Sequence, residues 1–183
     1  TVLHFNLPVY ETNTLEPQAK DSFYIKDPQT GRYLRNTDAT FTGLDETGGQ
    51  SFLWRIRPMP LYGDRYMFVS QTDNNKHLSD EGTLTTKNDY SKHSFNLFRK
   101  YSDEDLYAIG LSSTAGSGFL ETDADDPALS VTKGSVFSEF PFVIIRKVQP
   151  DDPDGIKDCR NETEYTVNPI VSYSCHGQEL YLK

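Results

Sequence analysis

Cysteine, tryptophan and long apolar runs are scarce in this chain of 183 residues, and each shortage closes off a class of function. Two cysteines without CxxC spacing and without a histidine cluster beside them point away from a metal site. No apolar stretch approaches the roughly 20 residues of a membrane-spanning helix, so a soluble chain without membrane insertion is expected. Basic residues number 18 against 27 acidic ones, a net charge of −9, and they form no cluster. Nucleic acid is therefore not an expected partner, because phosphate binding rests on Lys and Arg neutralising charge. GxSxG, HExxH and Gly-rich phosphate loops are all missing, and the four histidines fall in different segments. Neither an enzyme nor a cofactor is expected. Helical periodicity is weak, whereas 11 Tyr and 11 Phe favour β structure.

What the sequence does contain is an internal repeat, present three times between Phe23 and Val148. Each copy opens on an apolar strand residue, Ile25, Phe68 and then Ile109, at spacings of 43 and 41. An aromatic-or-His plus Leu pair follows: Tyr33-Leu34, His77-Leu78, Phe119-Leu120. Short alternating segments centre on Phe41, Leu84 and Leu129, and each copy closes on an apolar run, SFLWRI, SFNLFR or PFVIIR. A period in this range dictates architecture before any local reading. Four short strands per copy give twelve strands in three blocks, a pattern that resembles the β-trefoil.

That resemblance implies an all-β fold in which six strands close a barrel and six form capping hairpins. Every copy must then send side chains to one axis, because a small barrel is filled by its own residues. The expected fillers are Ile25, Leu34, Phe41, Phe52 and Trp54 from the first copy. The second supplies Phe68, Leu78, Leu84, Phe95 and Leu97, and the third Ile109, Leu120, Leu129, Phe142 and Ile144. Phe52, Phe95 and Phe142 are expected at threefold-related sites. His77 stands where the other copies have Tyr33 and Phe119, so it reads as a half-buried packing residue and not as a base.

A single domain is expected, with an N-terminal extension over 1–22, the repeat body over 23–148 and a tail over 149–183. Residues 2–10 alternate as a strand, and Pro8 suits a sheet edge; pairing with the tail is the expected arrangement. Cys159 and Cys175, with fifteen residues between them, read as one disulfide that would contribute about 3 kcal/mol by restricting the unfolded chain. Asn161 heads the one N-glycosylation sequon, Asn161-Glu162-Thr163, inside that loop. Both features, and a start at Thr1, point to a secreted, extracellular protein.

Each copy places an Asp after its Leu: Asp38, Asp80 and Asp123, the last opening into Asp125 and Asp126. Clustered carboxylates suit calcium or sugar hydroxyls, but Asp also favours hairpin turns by bonding local backbone, and the turn reading is the favoured one. Trefoil relatives include lectins, Kunitz-type protease inhibitors, cytokines and fascins. The segment VYETNTLEPQAKDSFYI at 9–25 resembles the opening of the Kunitz-type inhibitors, with Glu11 in place of their Asp and without their glycine. The Gln-x-Trp signature of ricin-type lectins is missing, since Trp54 follows Ser51-Phe52-Leu53.

The core recurs between copies while the loops diverge: DPQTG at 27–31, TDNNK at 72–76 and STAGSG at 113–118. Divergent loops on a rigid scaffold suit one asymmetric surface gripping one macromolecule. An extracellular protein, a protease or a receptor, is the expected partner, with a glycan as the alternative. Phe137, Glu139 and Phe140 are the candidate contact residues, the two aromatics being additions of the third copy; the alternative is that both rings cover the barrel end or pack against the N- and C-terminal extensions.

Overall fold

The computed structural model describes residues 10–44, 49–100, 105–111, 118–132, 140–149, 155–156, 172–173 and 179–180. After β1 (Tyr10–Thr12), twelve strands run in three sets of four. The first set is β2 (Phe23–Lys26), β3 (Tyr33–Leu34), β4 (Phe41–Thr42) and β5 (Trp54–Met59). The second is β6 (Arg65–Ser70), β7 (His77–Leu78), β8 (Leu84–Thr85) and β9 (Asn96–Lys100). The third is β10 (Leu106–Gly110), β11 (Phe119–Thr122), β12 (Leu129–Thr132) and β13 (Phe142–Lys147). In the tail, β14 (Ser172–Tyr173) pairs with β15 (Glu179–Leu180).

The first and last strand of each set form a closed ring. Antiparallel ladders join β2 to β5, β5 to β6, β9 to β10, β10 to β13 and β13 back to β2. The remaining seam, between β6 and β9, is a single bridge, Tyr66 with Phe95. Closure leaves few free edges for another chain to pair with. The middle strands make three hairpins, each hung from its own first strand at Lys26–Tyr33, Val69–His77 and Ile109–Leu120. These hairpins meet over one end of the barrel. The Phe41 N–H donates to Pro127 O at 2.7 Å, Thr40 bridges Ala128, and Gly82 lies against Leu129. Since β5 and β9 run antiparallel to the strands that lead into the hairpins, the β5–β6 connection lies at the opposite, open end.

Six core positions recur threefold: Phe23/Tyr66/Tyr107, Ile25/Phe68/Ile109, Leu34/Leu78/Leu120, Phe41/Leu84/Leu129, Trp54/Phe95/Val143 and Ile56/Leu97/Ile145, all buried except Leu84, which is half-buried against the cluster. Ladder register fixes the last two sets, because Phe23 faces Trp54, Tyr66 faces Phe95 and Tyr107 faces Val143. Burying each side chain is worth about 1.5–3 kcal/mol. The buried Trp54 indole also donates to Leu34 O at 2.9 Å, tying a barrel strand to its hairpin.

This register corrects the expected fillers in two copies. Phe52 is buried, but it sits in a 3-10 turn before β5 and joins a separate cluster with Tyr24, Tyr33, Leu53 and Ile156. In the third copy Val143 and Ile145 enter the core, while Phe142 and Ile144 are half-buried on the other face. Phe52, Phe95 and Phe142 are thus not threefold equivalents. The run Phe142-Val143-Ile144-Ile145 is apolar on both faces, so its phase is not visible in the pattern, and a one-residue slip exchanges the faces.

Of the N-terminal strand expected over 2–10, only Tyr10 lies within the described residues; it opens β1, which pairs with β9, Tyr10 opposite Lys100 and Thr12 opposite Phe98. That strand fills the place beside β9 where β6 has diverged past the Tyr66–Phe95 bridge. The tail begins against the barrel, since Ile156 is fully buried.

Candidate functional site

The sequence MPLYGD between β5 and β6 places two large apolar residues where a hairpin turn is ordinarily polar. The hairpin carrying it is long and regular, with six facing pairs from Trp54–Ser70 to Met59–Arg65. Pro58 is tolerated where β5 has run past its pairing with β2. Pro60 opens a 3-10 turn, Pro60–Tyr62, with its φ fixed by its own ring. Gly63 (φ 79) and Asp64 (φ 56) then close the turn in left-handed conformations, which Gly adopts freely and Asp tolerates. Leu61 is left 92% exposed at the tip, with Tyr62 beside it.

The tip is braced from below. The Arg65 guanidinium donates to Ser91 O at 2.9 Å, to Ser94 O, and to Leu111 O at 2.7 Å. Burial lowers the pKa of Arg65, and the charge of Asp80 opposes that shift. Tyr62 meets Tyr90 edge-on, ring centroids 6.3 Å apart, so the loop over 86–94 supports the hairpin. Beside the tip, between β1 and the hairpin, lies an open cleft of about 370 Å³ lined by Thr12, Asn13, Pro58, Gly63, Asp64 and Tyr66. It lies where β1 pairs with β9 and β6 is joined to β9 by the Tyr66–Phe95 bridge alone. The Tyr66 hydroxyl donates to Leu15 O at 2.5 Å, and burial pushes its pKa up to about 12, so it stays a neutral donor.

The expected contact residues fare differently. Phe140 is 6% exposed: it packs with Phe98, Ala108 and Phe119 and stacks on Tyr10. It is a core residue of that cluster. The reason is β1, whose Tyr10 covers the ring. Phe137 and Glu139 lie outside the described residues, as do Cys159, Cys175 and Asn161.

The acidic group at the third hairpin serves its turn. Asp123 accepts the Asp125 N–H and Asp126 accepts the Ala128 N–H, both at 3.0 Å. Asp38 does the same for Thr40. In the second copy Ser79 takes this part, accepting from Glu81 and Thr83. Among the described residues no group of three or more His, Cys, Asp or Glu is placed to hold a metal ion.

His77 is more buried than expected, at 4%, and has a partner that spacing did not reveal. Its Nε2 lies 3.1 Å from Nδ1 of His93, itself 7% exposed. Leu61 and Tyr62 were also not singled out by the repeat. The available signal was a pair of apolar residues bracketed by Pro60 and Gly63.

Comparison with solved structures places this architecture. A designed threefold-symmetric protein, ThreeFoil, aligns over 69% of this chain and 99% of its own at a TM-score of 0.51 and 12% identity. The BEL β-trefoil aligns over 75% of this chain and 100% of its own, with a TM-score of 0.57 and 12% identity. The fold is a β-trefoil. A ricin B-like lectin from Macrolepiota procera, solved with lactose, matches over 72% of this chain and 98% of its own at 0.50 and 14% identity. A GlcNAcα1-4Gal-releasing endo-β-galactosidase from Clostridium perfringens matches over 71% of this trefoil at 0.57 and 10% identity. This trefoil chain spans 33% of that enzyme's length. No protein-family model and no curated protein matches the sequence.

Proposed function

We propose that this trefoil is a non-enzymatic binding module that grips an extracellular protein through the tip of its β5–β6 hairpin. The observation that carries this reading is Leu61, 92% exposed on a turn that proline, left-handed residues and the Arg65 bonds hold in one shape. An apolar anchor that is already ordered loses little entropy on docking, and a few such anchors carry most of an interface's energy. The 3-10 shape of Pro60–Tyr62 argues against a substrate-like protease-inhibitor loop here, since peptide-binding edges take extended segments. A receptor-type or ligand-type partner suits the tip better. The extracellular setting rests on Cys159, Cys175 and Asn161.

The neighbouring cleft favours a second reading, a glycan-binding lectin. Asn13, Thr12 and Asp64 offer amide, hydroxyl and carboxylate groups to a hydroxyl-rich ligand, and the lactose complex of the Macrolepiota lectin supports this reading at the level of fold. Asp64 is the one carboxylate among the described residues lining the cleft. Hydrolysis of a glycoside ordinarily needs two, so the cleft suits binding better than cleavage.

Capture from extracellular fluid with the wild type and with Leu61→Ser, run beside a glycan array with Asp64→Asn, separates the two. Loss of a captured protein in the first variant supports the tip. Array binding that depends on Asp64 supports the cleft instead.

A further inference from the structure

Each copy of this trefoil carries a satellite contact outside the barrel, and in the second copy that contact is ionisable. In the first copy Tyr33 meets Phe52 edge-on, ring centroids 6.3 Å apart. In the third, Phe119 meets Phe140 at 4.6 Å. Counting from the shared hairpin position and from Trp54/Phe95/Val143, the second-copy counterparts of Tyr33 and Phe52 are His77 and His93. These rings lie 5.1 Å apart, both buried. Two histidines thus stand where the first copy places Tyr33 and Phe52, rings that carry no positive charge in acid.

The polar geometry of the pair suits two neutral imidazoles, in either tautomeric arrangement. His77 Nε2 and His93 Nδ1 face each other at 3.1 Å, and His93 Nδ1 is also 3.1 Å from Lys87 O. One N–H and one lone pair between the rings satisfy this arrangement. If both imidazoles are protonated, two donors and two positive charges face each other, with one carbonyl between them to accept.

Among the described residues neither imidazole bonds a carboxylate. His77 pairs with Val69 of β6 and Thr85 of β8, and the loop over 86–94 covers it. The ionisable groups on and beside these elements are Arg65, Tyr66, Asp73, Lys76, Asp80, Glu81, Lys87, Asp89, Tyr90 and Lys92. Lys76 pairs with Asp73 and Lys92 with Asp89 at the surface, and Asp80 acts on Arg65. Burial first, and then the charge of His93, lower the pKa of His77 from 6.5, while a bond to the Lys87 backbone opposes them.

The pair connects to the hairpin tip through a short chain of rings. His77 lies 6.5 Å from Tyr90, and Tyr90 meets Tyr62 at 6.3 Å. Arg65 ties the base of the same hairpin to Ser91 O and Ser94 O. Whatever moves the 86–94 loop removes the Tyr90 contact and two of the three Arg65 bonds that brace the tip.

We propose that His77 and His93 form an acid-sensitive latch: protonation drives the imidazoles apart, releases the loop over 86–94 and loosens the β5–β6 hairpin tip. The consequence for binding rests on the proposed role of that tip; the latch itself does not. The sign follows from the lowered pKa of His77. The closed state holds His77 neutral, so its contribution is complete above about pH 6.5 and is lost as pH falls through the folded-state value.

Amide hydrogen exchange at pH 7.5 and 5.0, corrected for intrinsic rates, tests this on the whole chain without any partner. Peptides over 86–94 and 59–65 are expected to lose about ten- to thirtyfold of their protection at pH 5.0, while β11–β12 peptides keep theirs. The double variant His77→Tyr with His93→Phe copies the first-copy pair, and its loop protection should not change with pH. An acid loss of equal size in that variant, or none in the wild type, would overturn the latch. Should the variant not fold, imidazole NMR titration of the wild type decides. A His77 that titrates at about 6.5 while the loop amides stay unmoved contradicts the proposal. A tip that proves irrelevant to binding would leave these exchange results intact, so the two readings fail separately.

Discussion

Tyr10 stacks on Phe140 with ring centroids 4.4 Å apart, and this contact welds the N-terminal strand to the third copy of the trefoil. Phe140 also meets Phe119 at 4.6 Å and Phe98 at 6.0 Å. Phe140→Ala should therefore cost about 3–5 kcal/mol through lost transfer energy and a cavity. Chemical denaturation measures it. A cost below 1 kcal/mol would mean that the ring is dispensable to the fold.

The contact between hairpins gives a second prediction. Gly82 has φ +78, and a Cβ there would meet Leu129 Cβ at 2.8 Å and Leu129 O at 3.0 Å. Gly82→Ala combines a left-handed backbone, worth about 1–2 kcal/mol, with a clash against backbone that cannot swing away. The melting temperature should fall by several degrees. Gly31, also left-handed (φ +70) but with open space around it, should suffer less from the same change.

Arg65 supplies a third. Its guanidinium reaches carbonyls of Ser91, Ser94 and Leu111, which no single ammonium can satisfy together. Arg65→Lys should destabilise the protein by about 1–3 kcal/mol and raise hydrogen exchange over 86–94. A lysine variant as stable as the wild type would show that the fork geometry is unimportant.

Much of this fold was legible because a repeat constrains itself. Ile25, Phe68 and Ile109, with Leu34, Leu78 and Leu120, lie where the threefold spacing put them. The phase of the closing strands was not legible. Phe52 precedes its strand in a 3-10 turn, and β13 is apolar on both faces because satellite clusters cover the barrel wall. The site was hidden for a related reason. Phe140 packs against the N-terminal extension, the alternative to a contact role, but nothing local announces that Tyr10, 130 positions away in sequence, is the residue that covers it. Conversely, Leu61 reads as one more strand residue until the turn around it is seen. At the acidic hairpin, Asp123 and Asp126 bond the backbone of their own turn.

Binding by the hairpin tip is the central claim, and Leu61→Ser tests it with little structural disturbance. Leu61 belongs to none of the buried clusters, so the change should alter stability by no more than about 0.5 kcal/mol. The measurement is the affinity of wild type and Leu61→Ser for the protein captured from extracellular fluid, each at matched folded fraction. The account predicts a loss of about thirtyfold or more, the usual effect of removing an anchor worth 2 kcal/mol. Equal affinity for the two proteins would contradict it.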